Sequence, residues 1–427
     1  MIDLKLVREQ AELVRENYAR RHDPTIIATL DEFLTVDAAW RRARGEEDEL
    51  RSRRNKVSAA INEAKKAGGD ATAALAEAKA IPQRLAALEE ERKTLEVRHR
   101  ALHLALPNLL HDSVPIGASD AENKPIRHWG EVKQPDFPLK PHGEIAEGLG
   151  SDFTRSAKIS GAGFYFLRGE LALLNRALIE FAIQHLVKKG YTYTEPPLLM
   201  RRAPYEGVTS LGDFETVQYA VEGEDLKLIA TAEHPLVAQF MDEDLSPSQL
   251  PQKLVGYSMC FRKEIGSKGV DTKGLFRTHQ FNKVEQVIIC RPEDADALHE
   301  ELQRNGEELF EALKIPYRVV DVCTGDMGIV ASRKYDTEAW MPRAGEYREV
   351  CSASNCTDWQ ARRLNIRYQD ADSVRFAYTL NNTAFATSRV LVAILENYQQ
   401  ADGSVVVPDA LRPLMGGTSV LRPVRYS

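Results

Sequence analysis

Residues 261–285 read FRKEIGSKGVDTKGLFRTHQFNKVE. The apolar run KLVGYSMCF (253–261) ends at Phe261, and Arg262, Lys263 and Glu264 follow it. A polar, glycine-bearing stretch occupies 266–274. Phe276, Arg277, Thr278, His279, Gln280 and Phe281 then lead through Glu285 into NKVEQVIIC (282–290). The pattern predicts strand, loop and strand, with arginines at both ends of the loop. An arginine fixed on a strand presents a planar fork of donors to phosphate oxygens. Phe281 offers a face on which a base of any identity can stack. The same residues also fit a hairpin with solvated basic side chains. His279 suits a hydrogen-bonding place in the strand better than a general base.

Around this stretch, residues 170–188 form an amphipathic helix with Leu171, Leu174, Leu178 and Phe181 on one face and Gly190 closing it. YTYTEPPLLM follows as a strand. KLIATA (227–232), YRVVDVC (317–323) and FAYTLNN (376–382) also read as strands, and 293–314 and 386–399 as helices. Many strands with few helices predict a mostly antiparallel sheet flanked by helices, in an α+β fold. Neither a dinucleotide fingerprint nor a GxxxxGK[ST] loop is present, so a bound nucleotide needs another device. Three further groups carry oxygen or charge. Glu349 and Ser352 stand three residues apart and could share a hard cation, or serve as a cap or turn. Thr379–Thr383 precedes a helix holding Arg389. Thr231-Ala232-Glu233 stands at a possible helix start, where capping is the ordinary role. Cys260, Cys290 and Cys323 lie in strand patterns and read as buried, inert thiols.

The N-terminal part is different. From Val36, steps of four and three reach Trp40, Ala43, Glu47, Leu50, Arg54, Val57, Ile61 and Ala64. A second series runs Leu75, Ala78, Ile81, Leu85, Leu88, Arg92, Leu95, His99, Leu102 and Leu106. These heptads predict two helices sharing one seam over 36–106, with Gly68-Gly69-Asp70 reversing the chain. Pro82 should kink the second helix or end a register. Residues 1–30 read as one short helix and a connection, and 107–145 as a linker and first loops. The expected division is an arm at 1–108, with its coiled coil over about 30–106, and a body at 109–427.

Charge follows the same division. The 427 residues carry 56 Lys and Arg against 63 Asp and Glu, a net of −7. That total excludes a polycation coating nucleic acid at random. Residues 1–110 carry a net of +1, and 51–66 alone +5, from Arg51, Arg53, Arg54, Lys56, Lys65 and Lys66 against Glu63. A long thin arm holding that cluster fits a large anionic partner; a solvated helix face is the plainer alternative. Apolar residues make up 43%, with no run long enough to span a membrane. The five cysteines, without a close pair, fit a reducing cytoplasm.

Taken together, the segments resemble seryl-tRNA synthetases, class II aminoacyl-tRNA synthetases, over essentially the whole chain. Class II motif 1 resembles 170–197, motif 2 resembles 261–285 and motif 3 resembles LNNTAFATSRVLVAILENYQ (380–399). PNLLHDSVPIG, TAEHPL, TGDMG, KYDTEAWMP and ASNCTDWQARR are similar to family signatures. The resemblance implies ATP-dependent activation of L-serine and its transfer to tRNA(Ser), and to tRNA(Sec). It implies that Arg262 holds the ATP α-phosphate, with Glu264 the acidic residue of that motif and Arg389 the motif 3 arginine. Thr278, and Phe281 stacking on adenine, belong to the same nucleotide site, with Lys263, Val350 and Cys351 around it. Glu349 and Ser352 would hold Mg²⁺. Thr231, Ala232 and Glu233 would receive the serine amino group, and Glu285 and Thr383 its hydroxyl. Pro197 would lie at a homodimer interface, and Arg51, Arg53, Arg54 and Lys56 would contact tRNA.

Lys263, Cys351 and Asn382-Thr383-Ala384 depart from the common family pattern. The cysteine and histidine ligands of zinc-using relatives are not recognisable, so the resemblance is to the bacterial type without zinc. A carrier-protein-loading paralogue would lack the arm. A non-catalytic RNA-binding derivative would lack the phosphate and metal residues that are present here.

Overall fold

In the computed structural model, residues 1–210, 217–264, 274–371 and 373–424 are described; most of the polar stretch 266–274 lies outside them. The chain forms two compact units. One comprises residues 2–19 and 23–107. The other comprises Met1, residues 20–22 and residues 108–427.

The first unit holds α1 (Leu4–Glu9), α2 (Ala11–Ala19), α3 (Pro24–Ala67) and α4 (Thr72–Ala105). The expected single short helix is thus two, and the expected connection already belongs to the long helix. Asp23 is the reason: its carboxylate accepts from the Thr25 amide at 2.9 Å, and Pro24 fills the first helical position. At 44 and 34 residues, α3 and α4 extend about 66 and 51 Å. Gly68 ends α3 in the left-handed region at φ 65°. Asp70 then accepts from the Thr72 amide at 2.8 Å. The α4 helix runs through Pro82 without interruption. The proline is exposed, so the carbonyl it leaves unbonded can be solvated.

Leu30, Phe33, Ala43 and Val57 bury their side chains in α3, and Ile81, Leu85, Leu88 and Leu102 in α4. At the start of the seam Asp37, not Val36, is the buried residue. Polar seam positions pair with one another. Glu47 meets Arg92 at 2.7 Å, and Asp37 meets His99 at 3.0 Å.

The second unit is built on an eight-stranded sheet. Its strands are β1 (Lys124–Trp129), β2 (Thr192–Thr194), β3 (Gln252–Phe261), β4 (Gln280–Cys290), β5 (Tyr317–Asp321), β6 (Arg333–Met341), β7 (Glu346–Asn355) and β8 (Tyr378–Ala386). The order is β1-β5-β6-β7-β8-β4-β3-β2. Every pairing is antiparallel except β2 with β3. The sequence pattern missed β1, β6 and β7. It overextended 227–232, where the strand is only Lys227–Leu228, paired with Leu199–Met200 and bridged to Ala220. Phe376 belongs to a separate small sheet.

Helices α5 (Gly169–Lys188), α6 (Ala295–Ala312) and α7 (Thr387–Tyr398) pack their apolar sides on this sheet. Leu171, Leu174 and Leu178 join Val284, Ile288, Phe385 and Leu391 in the main core. Fully burying each such side chain contributes roughly 1.5–3 kcal/mol, so the sheet is a firm platform for its other face.

Two irregularities decide what that platform displays. Side chains alternate along a strand, so residues three apart normally face opposite ways. The β6–β7 register shifts between Glu349 and Cys351. This bulge turns Glu349 and Ser352 to the same side. A second shift lies between Thr383 and Phe385, just after Thr383 pairs with Glu285. Bulges re-aim side chains in this way beside functional sites.

Candidate active site

One cavity of about 450 Å³ opens over β3, β4, β7 and β8. Period two places Phe281, Lys283 and Glu285 of β4 along it, with Asn381 and Thr383 of β8 beside them. Arg262 and Glu264 enter from the end of β3, Glu349, Val350 and Ser352 from β7, and Arg389 from α7. Phe276, Arg277 and Thr278 close the rim from the other side of the polar stretch.

The lining divides into two chemistries. The first is cationic and aromatic. The Arg262 guanidinium lies 5.2 Å from the Phe281 ring centroid and donates to the Ala230 carbonyl at 3.3 and 3.4 Å. Arg389 lies 5.3 Å from the Phe276 centroid and pairs with Glu349 at 3.0 Å. Glu349 remains 49% exposed to the cleft. Partial desolvation raises the cost of its charge, but Arg389 and Lys334 outweigh that and hold the carboxyl below its ordinary range. Behind Ser352, its cross-strand partner Asp336 is buried, with one carboxylate oxygen unpartnered among the described residues. Burial pushes Asp336 up to about 7 against the pull of Lys334, 3.6 Å away.

The second is acidic. Lys283 Nζ lies 2.5 Å from Glu285 and donates to Thr231 Oγ1 at 3.0 Å. Thr383 Oγ1 donates to Glu285 at 3.4 Å. Glu233 begins the short helix Glu233–Ala238 and accepts from Gln360 at 2.8 Å. Burial, then the nearby Glu285 charge, pushes Glu233 up to about 7. Burial raises Glu285 as well, with Lys283 opposing it. His234, at the same wall, is lowered to about 3 by burial and by Lys283 and Arg262, so it is neutral at physiological pH.

Most of the residues singled out in the sequence meet here: Arg262, Glu264, Thr278, Phe281, Glu349, Val350, Ser352, Arg389, Thr231, Glu233, Glu285 and Thr383. Three do not line the cavity. Lys263 turns outward over the Tyr219 ring. Ala232 packs beside Leu236 under Gly256. Cys351 points its thiol at the Ala384 carbonyl, 3.4 Å away. His279 bonds to the Tyr219 hydroxyl at 2.8 Å and stacks on Phe164, outside the cavity lining.

Pro197 is exposed beyond β2. In the arm, Arg51 pairs with Glu47 and Glu89 and Arg53 with Glu77, whereas Arg54 and Lys56 have no ion pair among the described residues. Arg277, the second of the two arginines flanking the polar stretch, also lines the cavity, whereas sequence reasoning missed Lys283, Lys334, Asp336 and Gln360. Lys283 was within reach, since it alternates between Phe281 and Glu285. Among the described residues no cluster of three or more His, Cys, Asp or Glu could hold a metal ion. The oxygen pair Glu349 and Ser352 suits a hard cation that keeps other ligands from phosphate and water.

Residues 1–110 match the family model of the seryl-tRNA synthetase N-terminal domain, and 216–398 that of the tRNA synthetase class II core domain (G, H, P, S and T). The chain is 50% identical to a serine–tRNA ligase of Methanocella arvoryzae over 99% of this chain and 100% of that protein. The crystal structure of seryl-tRNA synthetase from Pyrococcus horikoshii complexed with ATP is 46% identical, with a TM-score of 0.93 over all of both chains. The cytoplasmic serine–tRNA ligase of Naegleria fowleri in complex with AMP is 33% identical, with a TM-score of 0.87 over 100% of this chain and 99% of that one. The coiled-coil arm, the antiparallel class II sheet and these full-length matches agree: the chain belongs to the seryl-tRNA synthetase family.

Proposed function

We propose that the cavity activates L-serine with ATP and presents the seryl group to tRNA(Ser), and by the same reading to tRNA(Sec). The observation that carries the proposal is the adjacency of its two chemistries. A cationic, aromatic half suits a nucleotide triphosphate, and a small acidic half suits an amino acid with a hydroxyl.

In this reading Phe281 and Arg389 flank adenine, and Arg262 holds the α-phosphate oxygens. The serine ammonium meets Thr231 and Glu233, and the hydroxyl meets Glu285 and Thr383. The serine carboxylate then attacks the α-phosphorus in line, pyrophosphate leaves, and the terminal ribose hydroxyl of tRNA takes the seryl group. No protein base is required for the first step, because the carboxylate is already ionised. Positioning and neutralisation of phosphate charge by Arg262 dominate instead. Glu349 and Ser352 would hold Mg²⁺, which when bound supplies further charge neutralisation at the phosphates. Alanine would forgo the bonds a hydroxyl makes with Glu285 and Thr383, and sites built for a hydroxyl reject its absence strongly.

The arm would hold the tRNA through its cationic face, and Pro197 would lie at a homodimer interface. Serine-dependent ATP–pyrophosphate exchange, run across the twenty amino acids, tests the reading. Exchange with serine far above all others is expected; absence of exchange with serine defeats it.

A further inference from the structure

We propose that Gln360 is a positioning residue that fixes the Glu233 carboxylate for the serine ammonium, and that Thr379 fixes Gln360 in turn. The inference rests on the reading of Glu233 as the ammonium receptor. Gln360 lies on the short helix Trp359–Leu364, is wholly buried and does not line the cavity. Its Nε2 donates to Glu233 Oε1 at 2.8 Å and to the Val208 carbonyl at 2.9 Å. Its Oε1 accepts from Thr379 Oγ1 at 2.6 Å. An amide has two donor hydrogens and one acceptor oxygen. Here one hydrogen meets the Val208 carbonyl, which only accepts, and the other meets Glu233, which only accepts when ionised, while the oxygen meets a hydroxyl that can donate.

The amide therefore has one workable orientation. Reversed, its oxygen would face a carboxylate and a carbonyl at hydrogen-bonding distance. Thr379 holds the working orientation from β8, where it is fully buried. The chain Thr379–Gln360–Glu233 thus ties the short helix that begins at Glu233 to the central sheet. It also occupies one Glu233 oxygen, so an incoming ammonium is offered the other one together with Thr231. Glu233 has a raised proton affinity beside Glu285. A neutral donor steadies its charge without neutralising it, which a lysine or arginine in that place would do. Among the described residues, Gln360 has no hydrogen bond to Arg262, Arg389 or Glu349.

Steady-state pyrophosphate exchange separates serine KM from ATP KM. Q360E removes the donors and sets a second carboxylate beside Glu233; T379V removes only the hydroxyl, and T379S keeps it. Q360E should raise serine KM by roughly tenfold or more, the effect of one hydrogen bond to a charged group. T379V should raise it less, and T379S should behave as wild type. ATP KM should stay within about twofold throughout, as for loss of binding to one substrate only. Unchanged serine KM in both Q360E and T379V, or ATP KM rising in step with it, overturns the proposal. E233Q is the companion variant. If it raises serine KM while Q360E and T379V do not, the positioning role fails and the ammonium site stands. If E233Q has no effect either, the reading of Glu233 fails first and the inference falls with it.

Discussion

Both units bury carboxylates, and they treat them in opposite ways. In the arm, Asp37 is 1% exposed and meets Arg8 at 2.6 Å, Arg41 at 2.9 Å and His99 at 3.0 Å. Burial raises its proton affinity, but the bonds from Arg8 and His99 outweigh that and hold it below the usual carboxylate range. Glu47 is 3% exposed between Arg51 and Arg92. In the cavity, Glu285 has Lys283, and Glu233 takes a neutral amide from Gln360. Both are pushed up rather than down. A carboxylate whose cations are all supplied by the chain is spent on structure. One that faces a cavity with too little positive charge has capacity left for a ligand's ammonium.

Removing a carboxylate from each class should therefore produce different losses. Asp37→Ala should destabilise the arm by roughly 2–3 kcal/mol, less than a fully buried pair because Arg8 and Arg41 can turn to solvent. Thermal unfolding measures that loss, and serine-dependent exchange in the same preparation should be unaffected. If D37A lowers exchange while leaving the unfolding midpoint unchanged, the contrast between the two classes of carboxylate is wrong.

The same distinction divides the arm's cationic cluster. Arg51 and Arg53 are held by Glu47, Glu89 and Glu77, whereas Arg54 and Lys56 have no such partners among the described residues. If the arm binds RNA through phosphate, the uncommitted pair should matter most. The double variant R54A/K56A should lower tRNA charging at moderate salt by roughly tenfold and flatten its salt dependence, since fewer counterions are released. Exchange without tRNA should be unchanged. An equal loss of both activities would contradict a division of labour between arm and cavity.

The features visible in the sequence are those with a long period or a rare residue combination. The heptads marked α3 and α4, and the paired arginines around 266–274 marked the end of β3 and the start of β4. What stayed hidden had physical reasons. β6 and β7 carry Lys334, Asp336, Glu349 and Ser352 toward the cavity or just behind it, so their sequence resembles a polar loop rather than an alternating strand. The bulge at Glu349–Cys351 depends on pairing with β6 and leaves no local mark. Gln360 acts on Glu233 across 127 positions of chain, a contact that only the fold supplies. The start of α3 was readable from Asp23-Pro24, an N-cap and first-turn pair that also fits a loop.

The smallest expected effect is a dependence on pH, and it tests the acidic half of the cavity directly. Glu233 is raised from its ordinary 4.5 to about 7. A carboxyl raised on folding stabilises the folded state fully below its ordinary value, and that contribution is lost as pH rises through the raised value. Without ligand, the second unit should therefore lose this group's share of stability between about pH 4.5 and 7. On the proposed reading of Glu233, serine binding runs the other way, because the ammonium needs the ionised carboxylate. For a group near 7, kcat/KM for serine should fall roughly fourfold from pH 8 to pH 6.5 with a slope approaching one proton. The comparison is with E233Q, whose serine kcat/KM should be lower and should lack that slope. If E233Q keeps the slope, the titrating group is another one, and Asp336, also raised to about 7, becomes the carboxylate to vary next.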